Sequence, residues 1–317
     1  MASTIFIDGK DGTTGLRIYD RLAQRQDVTL LTLPEAERKL PEARRAAIHQ
    51  ADVAILCLPD AAARESVALA EGSACRILDT STAHRTAEGW AYGFPELSHG
   101  HREAIVHGRY VAVPGCHASG FIALVSPLVR CGLLPPQSAL ACFSLTGYSG
   151  GGKKMIAQYE AAERATALVS PRQYGLTQQH KHLPEMRHVC GLQAEPIFAP
   201  VVADFYSGME VTVPLFRHQL RCGEHPLKEV RDALRQHYFG SNVIKVWTEE
   251  DNALSGGFIA ANALSGRDSM ELMVLGNDER LQLVARFDNL GKGSSGAALQ
   301  CLNLMLGAEE TMGLQLS

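Results

Sequence analysis

The chain has 317 residues, 46% of them hydrophobic and 20% charged, which supports about two globular domains and excludes disorder, collagen-like repeats and small disulfide scaffolds. Thirty basic residues against 34 acidic ones leave a net charge of -4, and the electrostatic footprint of a nucleic-acid binder is missing. The longest apolar stretches, such as Val53 to Leu58 and Phe121 to Val129, fall well short of the roughly 18 residues a membrane span needs.

No basic region followed by an apolar core opens the chain, so a cytoplasmic protein that handles small molecules, with neither nucleic acid nor membrane as a partner, is expected. The eight cysteines include no CxxC pair; neither a metal site nor a disulfide framework is indicated, and most should be small buried hydrophobes. No internal repeat or low-complexity segment occurs.

In chain order, Thr4 to Asp8, Val28 to Leu33, Val53 to Leu58, Arg76 to Asp79 and Tyr110 to Val113 read as strands apolar enough to be covered on both faces. Helical patterns lie between them, for example Asp60 to Glu71, where Asp60 is expected to cap the start and Gly72 to follow the end. Such alternation predicts an α/β, doubly wound parallel sheet. After Gly132 the strands alternate polar and apolar residues, as in Met209 to Leu215 and Arg280 to Phe287. That predicts a mixed or antiparallel sheet covered on one face by helices, including Lys153 to Leu168 and Pro226 to Tyr238. The division expected is a dinucleotide-binding domain over residues 1–116, a catalytic and oligomerisation domain over 117–292, and a C-terminal helical segment over 293–317, periodic from about Ser294 to Leu306, that packs back onto the first domain.

Gly9-Lys10-Asp11-Gly12-Thr13-Thr14-Gly15 follows the first strand and precedes a helical pattern from Leu16 to Leu22. Strand, glycine turn and helix suit a dinucleotide pyrophosphate, because backbone without side chains lets phosphate approach amides at the positive helix end. A tight turn without ligand is the alternative. No clear acid closes the second strand; Glu35 comes after Pro34, where it can simply open the next helix, with Arg38 and Lys39 nearby. A ribose 2′-hydroxyl normally takes such an acid, so its absence leans towards NADP.

Val111 to Gly120 is the sharpest local feature: a strand ends, Pro114-Gly115 turns the chain, and Cys116 stands at the start of a helical run from Ala118 to Val129. Helix amides and dipole favour a thiolate there, which makes Cys116 a candidate nucleophile. Leu145 to Lys154 is a second glycine-rich turn, whose Lys153 and Lys154 either meet an anionic substrate or are simply solvated. A third, Asp288 to Gly296, either meets the cofactor or caps the last helix. Most of the 12 histidines need only surface or capping roles. His180-Lys181-His182-Leu183-Pro184-Glu185 differs: in an extended segment both imidazoles face one side, with Pro184 keeping Leu183 extended, and either can serve as a base. His182 is favoured, because Glu185 follows it by three residues.

Together, Gly9 to Gly15, Asp79 to Thr86, Tyr92 to Leu97, Pro114-Gly115-Cys116, Thr146 to Gly152, His180 to Glu185 and Asp288 to Gly296 resemble the N-acetyl-gamma-glutamyl-phosphate reductase family in its shorter form, over nearly the whole chain. The chain departs from the longer form, which usually has asparagine before the proline and tyrosine after the cysteine, where Val113 and His117 stand. The resemblance implies a Rossmann-like domain joined to an α+β domain like that of aspartate-semialdehyde dehydrogenase, and an NADP-dependent oxidoreductase of arginine biosynthesis. Its reaction would be NADPH-dependent reductive dephosphorylation of N-acetyl-L-glutamyl 5-phosphate to N-acetyl-L-glutamate 5-semialdehyde through a cysteine thioester. It further implies a homodimer or homotetramer. The site expected has Cys116, His182 and His180 catalytic; Gly9, Gly12, Thr13, Thr14, Gly15, Ser81, Asn289, Lys292 and Gly293 on the cofactor; Arg85, Lys153 and Lys154 on the substrate; and no metal. Rival readings are an aspartate-semialdehyde dehydrogenase-like acyl-phosphate reductase, a cysteine hydrolase and a non-catalytic NADP-binding sensor.

Overall fold

A computed structural model of the chain describes residues 2–316, which divide into two compact units. One comprises the residues up to Gly115 together with Ser294–Leu314; the other comprises Cys116–Gly293, joined by Gln315 and Leu316.

The first unit runs β1 (Ser3–Asp8), α1 (Thr13–Leu22), β2 (Val28–Leu31), α2 (Pro41–Gln50), β3 (Val53–Leu56), α3 (Asp60–Leu69), β4 (Arg76–Asp79), β5 (Ala91–Tyr92), α4 (His99–His107) and β6 (Tyr110–Ala112). Its six strands pair in the order β2-β1-β3-β4-β6-β5, all parallel. Because successive strand residues point to opposite faces, Ile5 and Ile7 join Ile18, Leu22, Leu299 and Leu302 on one side. Phe6 joins Ile48 and Ala63 on the other. Both faces are covered, which is why these strands read as unbroken apolar runs.

Several boundaries differ from the sequence expectation. β2 stops at Leu31, two residues early. α1 begins at Thr13, inside the glycine-rich turn. Asp60 is the first residue of α3 rather than its cap, which is Pro59. Its carboxylate accepts instead from the Thr82 backbone N–H at 3.1 Å and the Thr82 hydroxyl at 2.5 Å, a tertiary tie that no local pattern announces.

The second unit contains α5 (Cys116–Arg130), β7 (Ala141–Gly147), α6 (Gly152–Tyr159), β8 (Arg172–Gln173), α7 (Leu183–Cys190), β9 (Ile197–Ala203), β10 (Met209–Phe216), α8 (Pro226–His237), β11 (Ile244–Val246), α9 (Glu249–Leu254), β12 (Met270–Gly276) and β13 (Arg280–Phe287). Its mixed sheet has the order β11-β12-β13-β10-β7-β9-β8, with β10 antiparallel to both neighbours. Along β10, Met209, Val211, Val213 and Leu215 are buried while Pro214 and Phe216 are exposed, the alternation of a sheet covered on one face. α5 packs so closely that a Cβ on Gly120 would lie 2.6 Å from a Val211 methyl.

The helix expected from Lys153 to Leu168 ends at Tyr159. Arg164 terminates it, donating to the Tyr159 carbonyl at 3.0 Å while pairing with Asp204 at 2.6 Å, since a cation satisfies the last carbonyls of a helix. The chain returns to the first unit through a wide helical turn, Gly291–Ser295, and α10 (Gly296–Leu306). Beyond Gly307 no helix continues among the described residues, so the C-terminal helix is shorter than the 293–317 expected.

Candidate active site

Cys116 is the first residue of α5, directly after the Pro114-Gly115 turn that follows β6. It is partly exposed, whereas Cys75, Cys142, Cys190 and Cys301 are buried. Burial holds the thiols of Cys142 and Cys190 well above the ordinary range and pushes Cys75 up to about 11, so these sulfurs stay protonated and inert. Gly293 lies against the cysteine: a Cβ there would come within 3.0 Å of the Cys116 Cβ.

The histidine segment is not extended, contrary to the sequence expectation. His182 has helical backbone angles, φ -85 and ψ -13, and precedes α7, whose first turn contains Pro184 and the buried Glu185. Proline is well suited to a first helical turn, where its missing N–H is not required, and a carboxylate there is favoured by the helix dipole. The two rings nevertheless meet, with centroids 4.7 Å apart and planes at 81°. The His182 backbone N–H donates to His180 Nδ1 at 3.2 Å, which makes Nδ1 an acceptor and puts the proton of neutral His180 on Nε2.

A third imidazole joins them. The His117 ring lies 5.7 Å from His180 and 5.5 Å from His182, with Phe198 packed against its edge. Its Nδ1 is 2.7 Å from the Ser144 hydroxyl and its Nε2 2.6 Å from the Tyr174 hydroxyl. Burial, and secondarily the charge of His180, hold His117 down to about 3. Tyr174 is held above the ordinary phenol range, first by burial and then by the charge of Cys116. His117, Ser144 and Tyr174 escaped the sequence reading, which left His117 among the surface and capping histidines. The available signal was a histidine at the start of a helix that is otherwise apolar nearly all round.

In the first unit, Gly9 has φ +89, and a Cβ there would lie 2.4 Å from the Cys57 carbonyl oxygen. A Cβ on Gly15 would lie 2.5 Å from the Gly9 carbonyl oxygen, whereas one on Gly12 would make only ordinary contact. Gly9 and Gly15 are thus demanded by sterics, and Gly12 precedes an α1 whose first turn has no acid. This cradle, open to an anion at a helix N-terminus, fits the pyrophosphate of a dinucleotide. Thr13 and Thr14 form the first turn of α1, and the Thr14 and Ser294 hydroxyls are 3.1 Å apart. Arg38 contacts Asp11 and donates to Glu35 at 3.0 Å.

Other expected contacts have protein partners. The Ser81 hydroxyl donates to Asp79 at 2.7 Å, and Arg85 donates to the carbonyls of Val113 at 2.9 Å and Thr80 at 3.2 Å. Asn289 accepts from the Gly208 N–H at 2.9 Å and donates to the Ser149 hydroxyl at 3.0 Å. Lys292 is buried, while Lys153 and Lys154 are exposed on the first turn of α6. The structure therefore brings Cys116 and Gly293 together, and His180 and His182 with His117. It puts Gly9, Gly12, Thr13, Thr14, Gly15, Ser81 and Arg85 in the other unit. Among the described residues no cluster of three or more His, Cys, Asp or Glu side chains is placed to hold a metal ion, and no helix is long and apolar enough to cross a membrane.

Residues 5–106 match the family model for the NAD binding domain of semialdehyde dehydrogenases, and residues 116–289 match the model for their dimerisation domain. The chain is 45% identical to N-acetyl-gamma-glutamyl-phosphate reductase 2 of Nostoc sp. over 98% of both chains. It is 47% identical to N-acetyl-gamma-glutamyl-phosphate reductase of Brucella ovis over 97% of this chain and 100% of the relative. Among solved structures, aspartate semialdehyde dehydrogenase II of Vibrio cholerae superposes with a TM-score of 0.74 at 14% identity, over 97% of this chain and 99% of that one. Aspartate semialdehyde dehydrogenase with NADP from Candida albicans does so with a TM-score of 0.67 at 14% identity, again over 97% and 99%.

Proposed function

The chain belongs to the semialdehyde dehydrogenase family, among its N-acetyl-gamma-glutamyl-phosphate reductases, and on that premise we propose that it reduces N-acetyl-L-glutamyl 5-phosphate to N-acetyl-L-glutamate 5-semialdehyde through a thioester on Cys116. It is an NADPH-dependent oxidoreductase of arginine biosynthesis. The observation that supports the chemistry is a partly exposed Cys116 at the head of α5, followed directly by a histidine whose ring packs against two others.

The Cys116 thiolate, stabilised by the helix N-terminus, attacks the acyl carbon and phosphate leaves, which splits a difficult displacement into two easier steps. NADPH, when bound, supplies the hydride that takes the thioester to a hemithioacetal. Gly9, Gly12, Thr13, Thr14 and Gly15 would hold its pyrophosphate at the N-terminus of α1, and Ser81, Asn289, Lys292 and Gly293 would be further cofactor residues. His182 takes the thiol proton and returns one as the hemithioacetal collapses and releases the aldehyde. The acceptor role of His180 Nδ1 leaves Nε2–H as a donor, so His180 suits an anionic group of the substrate better than proton abstraction. Lys153 and Lys154 are the substrate cations, with Arg85 beside the turn that leads to Cys116.

A homodimer or homotetramer in the cytoplasm completes the proposal. Its support is the matched dimerisation domain and the apolar residues Phe143, Ile197 and Phe216 exposed on the β-sheet strands of the second unit.

The test is the reverse reaction, with NADP, inorganic phosphate and N-acetylglutamate semialdehyde, followed at the nicotinamide absorbance. Phosphate-dependent NADPH formation that is lost in Cys116→Ser, with NADPH binding retained, is the expected result. Turnover that ignores phosphate, or survives in Cys116→Ser, overturns the thioester reading.

A further inference from the structure

The cluster around His117 has a direction. Ser144 lies on β7, wholly buried, and the hydrogen bond its hydroxyl makes is to His117 Nδ1, at 2.7 Å. A buried hydroxyl with a single neighbour must donate to it, because accepting would leave its own proton without an acceptor, a costly arrangement away from water. Ser144 therefore donates to Nδ1. Burial keeps His117 neutral across the physiological range, so its one proton sits on Nε2 and is donated to the Tyr174 oxygen at 2.6 Å. The phenol, already accepting from His117, keeps its own proton for another acceptor, and its ring is only half-buried. Cys116 is the residue next to His117, whose Nε2 lies 2.6 Å from the phenol oxygen, and after burial the charge of Cys116 helps to hold the phenol above its ordinary range. The other titratable groups facing His117 are His180 and His182.

Resting on the thioester reading above, we propose that Ser144 and His117 are positioning residues that orient Tyr174, and that the Tyr174 hydroxyl is a catalytic donor to the oxyanion that develops on the acyl carbon attacked by Cys116. At physiological pH the serine and histidine stay neutral and transfer no proton; they fix which way the phenol points. A donor aimed in advance at the place where charge develops stabilises the transition state more than the bound substrate, so its loss falls on kcat.

The experiment uses the full chain and the phosphate-dependent reverse assay with N-acetylglutamate semialdehyde and NADP. Tyr174→Phe keeps the ring and removes the donor, and Ser144→Ala removes the constraint on the His117 tautomer with little change of volume. Tyr174→Phe should lower kcat by about 10²-fold with KM changed by less than about threefold, and Ser144→Ala should lower kcat by about 3–10-fold. In the Tyr174→Phe background, Ser144→Ala should cost nothing further, since its effect runs through the hydroxyl already removed. A purely structural Ser144 would lower thermal stability without a selective loss of kcat, and its effect would add to that of Tyr174→Phe; either result overturns the proposal. Unchanged kcat in Tyr174→Phe also overturns it while wild-type activity, lost in Cys116→Ser, leaves the thioester reading standing. A wild-type protein with no phosphate-dependent turnover defeats the thioester reading first.

Discussion

Gly293 stands against Cys116, where a methyl group would be tightly crowded: a Cβ at Gly293 would lie 3.0 Å from the Cys116 Cβ, 3.1 Å from the Asp288 carbonyl oxygen and 3.2 Å from the Phe287 ring. Backbone on one side and a buried aromatic on the other leave the cysteine as the group that gives way. Gly293→Ala is expected to lower kcat about tenfold and to slow alkylation of Cys116 by iodoacetamide, with a stability loss of about 1–3 kcal/mol from overpacking. Steady-state kinetics and labelling rates check it; unchanged values for both would mean that the turn relaxes freely.

The two histidines of the 180–182 segment should separate by kinetic signature. His182→Asn is expected to lower kcat about 10²–10³-fold with a modest change in KM, as the loss of a general base does. His180→Asn should chiefly raise KM for the substrate, because His180 Nδ1 is occupied by the His182 N–H. Exchange of the two signatures in steady-state assays would exchange the two roles.

His117 makes the fold sensitive to acid. Its folded-state value is lowered from 6.5 to about 3 by burial, so between those pH values the unfolded chain binds a proton that the folded chain refuses. The contribution is fully present above pH 6.5 and is lost as pH falls towards 3, on the order of a few kcal/mol in all. Urea unfolding at pH 7 and pH 4 should show His117→Asn less stable than wild type at pH 7, with a smaller drop between the two pH values. An identical drop in both proteins would remove His117 from the account.

Arg38 pairs with Asp11 and Glu35 beside the glycine-rich turn; if it turns from them to a bound cofactor, its cation would favour a ribose 2′-phosphate, whereas the carboxylates alone would favour the free hydroxyl. Arg38→Ala is expected to lower kcat/KM for NADPH about 10–100-fold and to leave that for NADH within about threefold. Equal losses with both cofactors would show that Arg38 only supports the turn.

Much of this protein is written in short-range patterns. Ile5, Phe6 and Ile7 announce a strand covered on both faces, because successive side chains reach opposite layers of helices. Gly9 and Gly15 announce a turn where a methyl group would strike a carbonyl, and Cys116 declares itself by standing between a Pro-Gly turn and a helical run. Each of these depends on residues a few positions apart, whose steric and hydrogen-bonding requirements are met or violated locally. What only the tertiary structure decided is which polar groups meet across distance. His117 looked dispensable until Ser144, 27 residues on, and Tyr174, 57 residues on, were brought to its two nitrogens. His182 has helical backbone angles and Pro184 sits in the first turn of α7, whereas the local effect of a proline on Leu183 argued for extension. A strand or helix is selected by its own periodicity, but the protonation and direction of a buried hydrogen-bonded chain are set by partners that the fold assembles from separate elements.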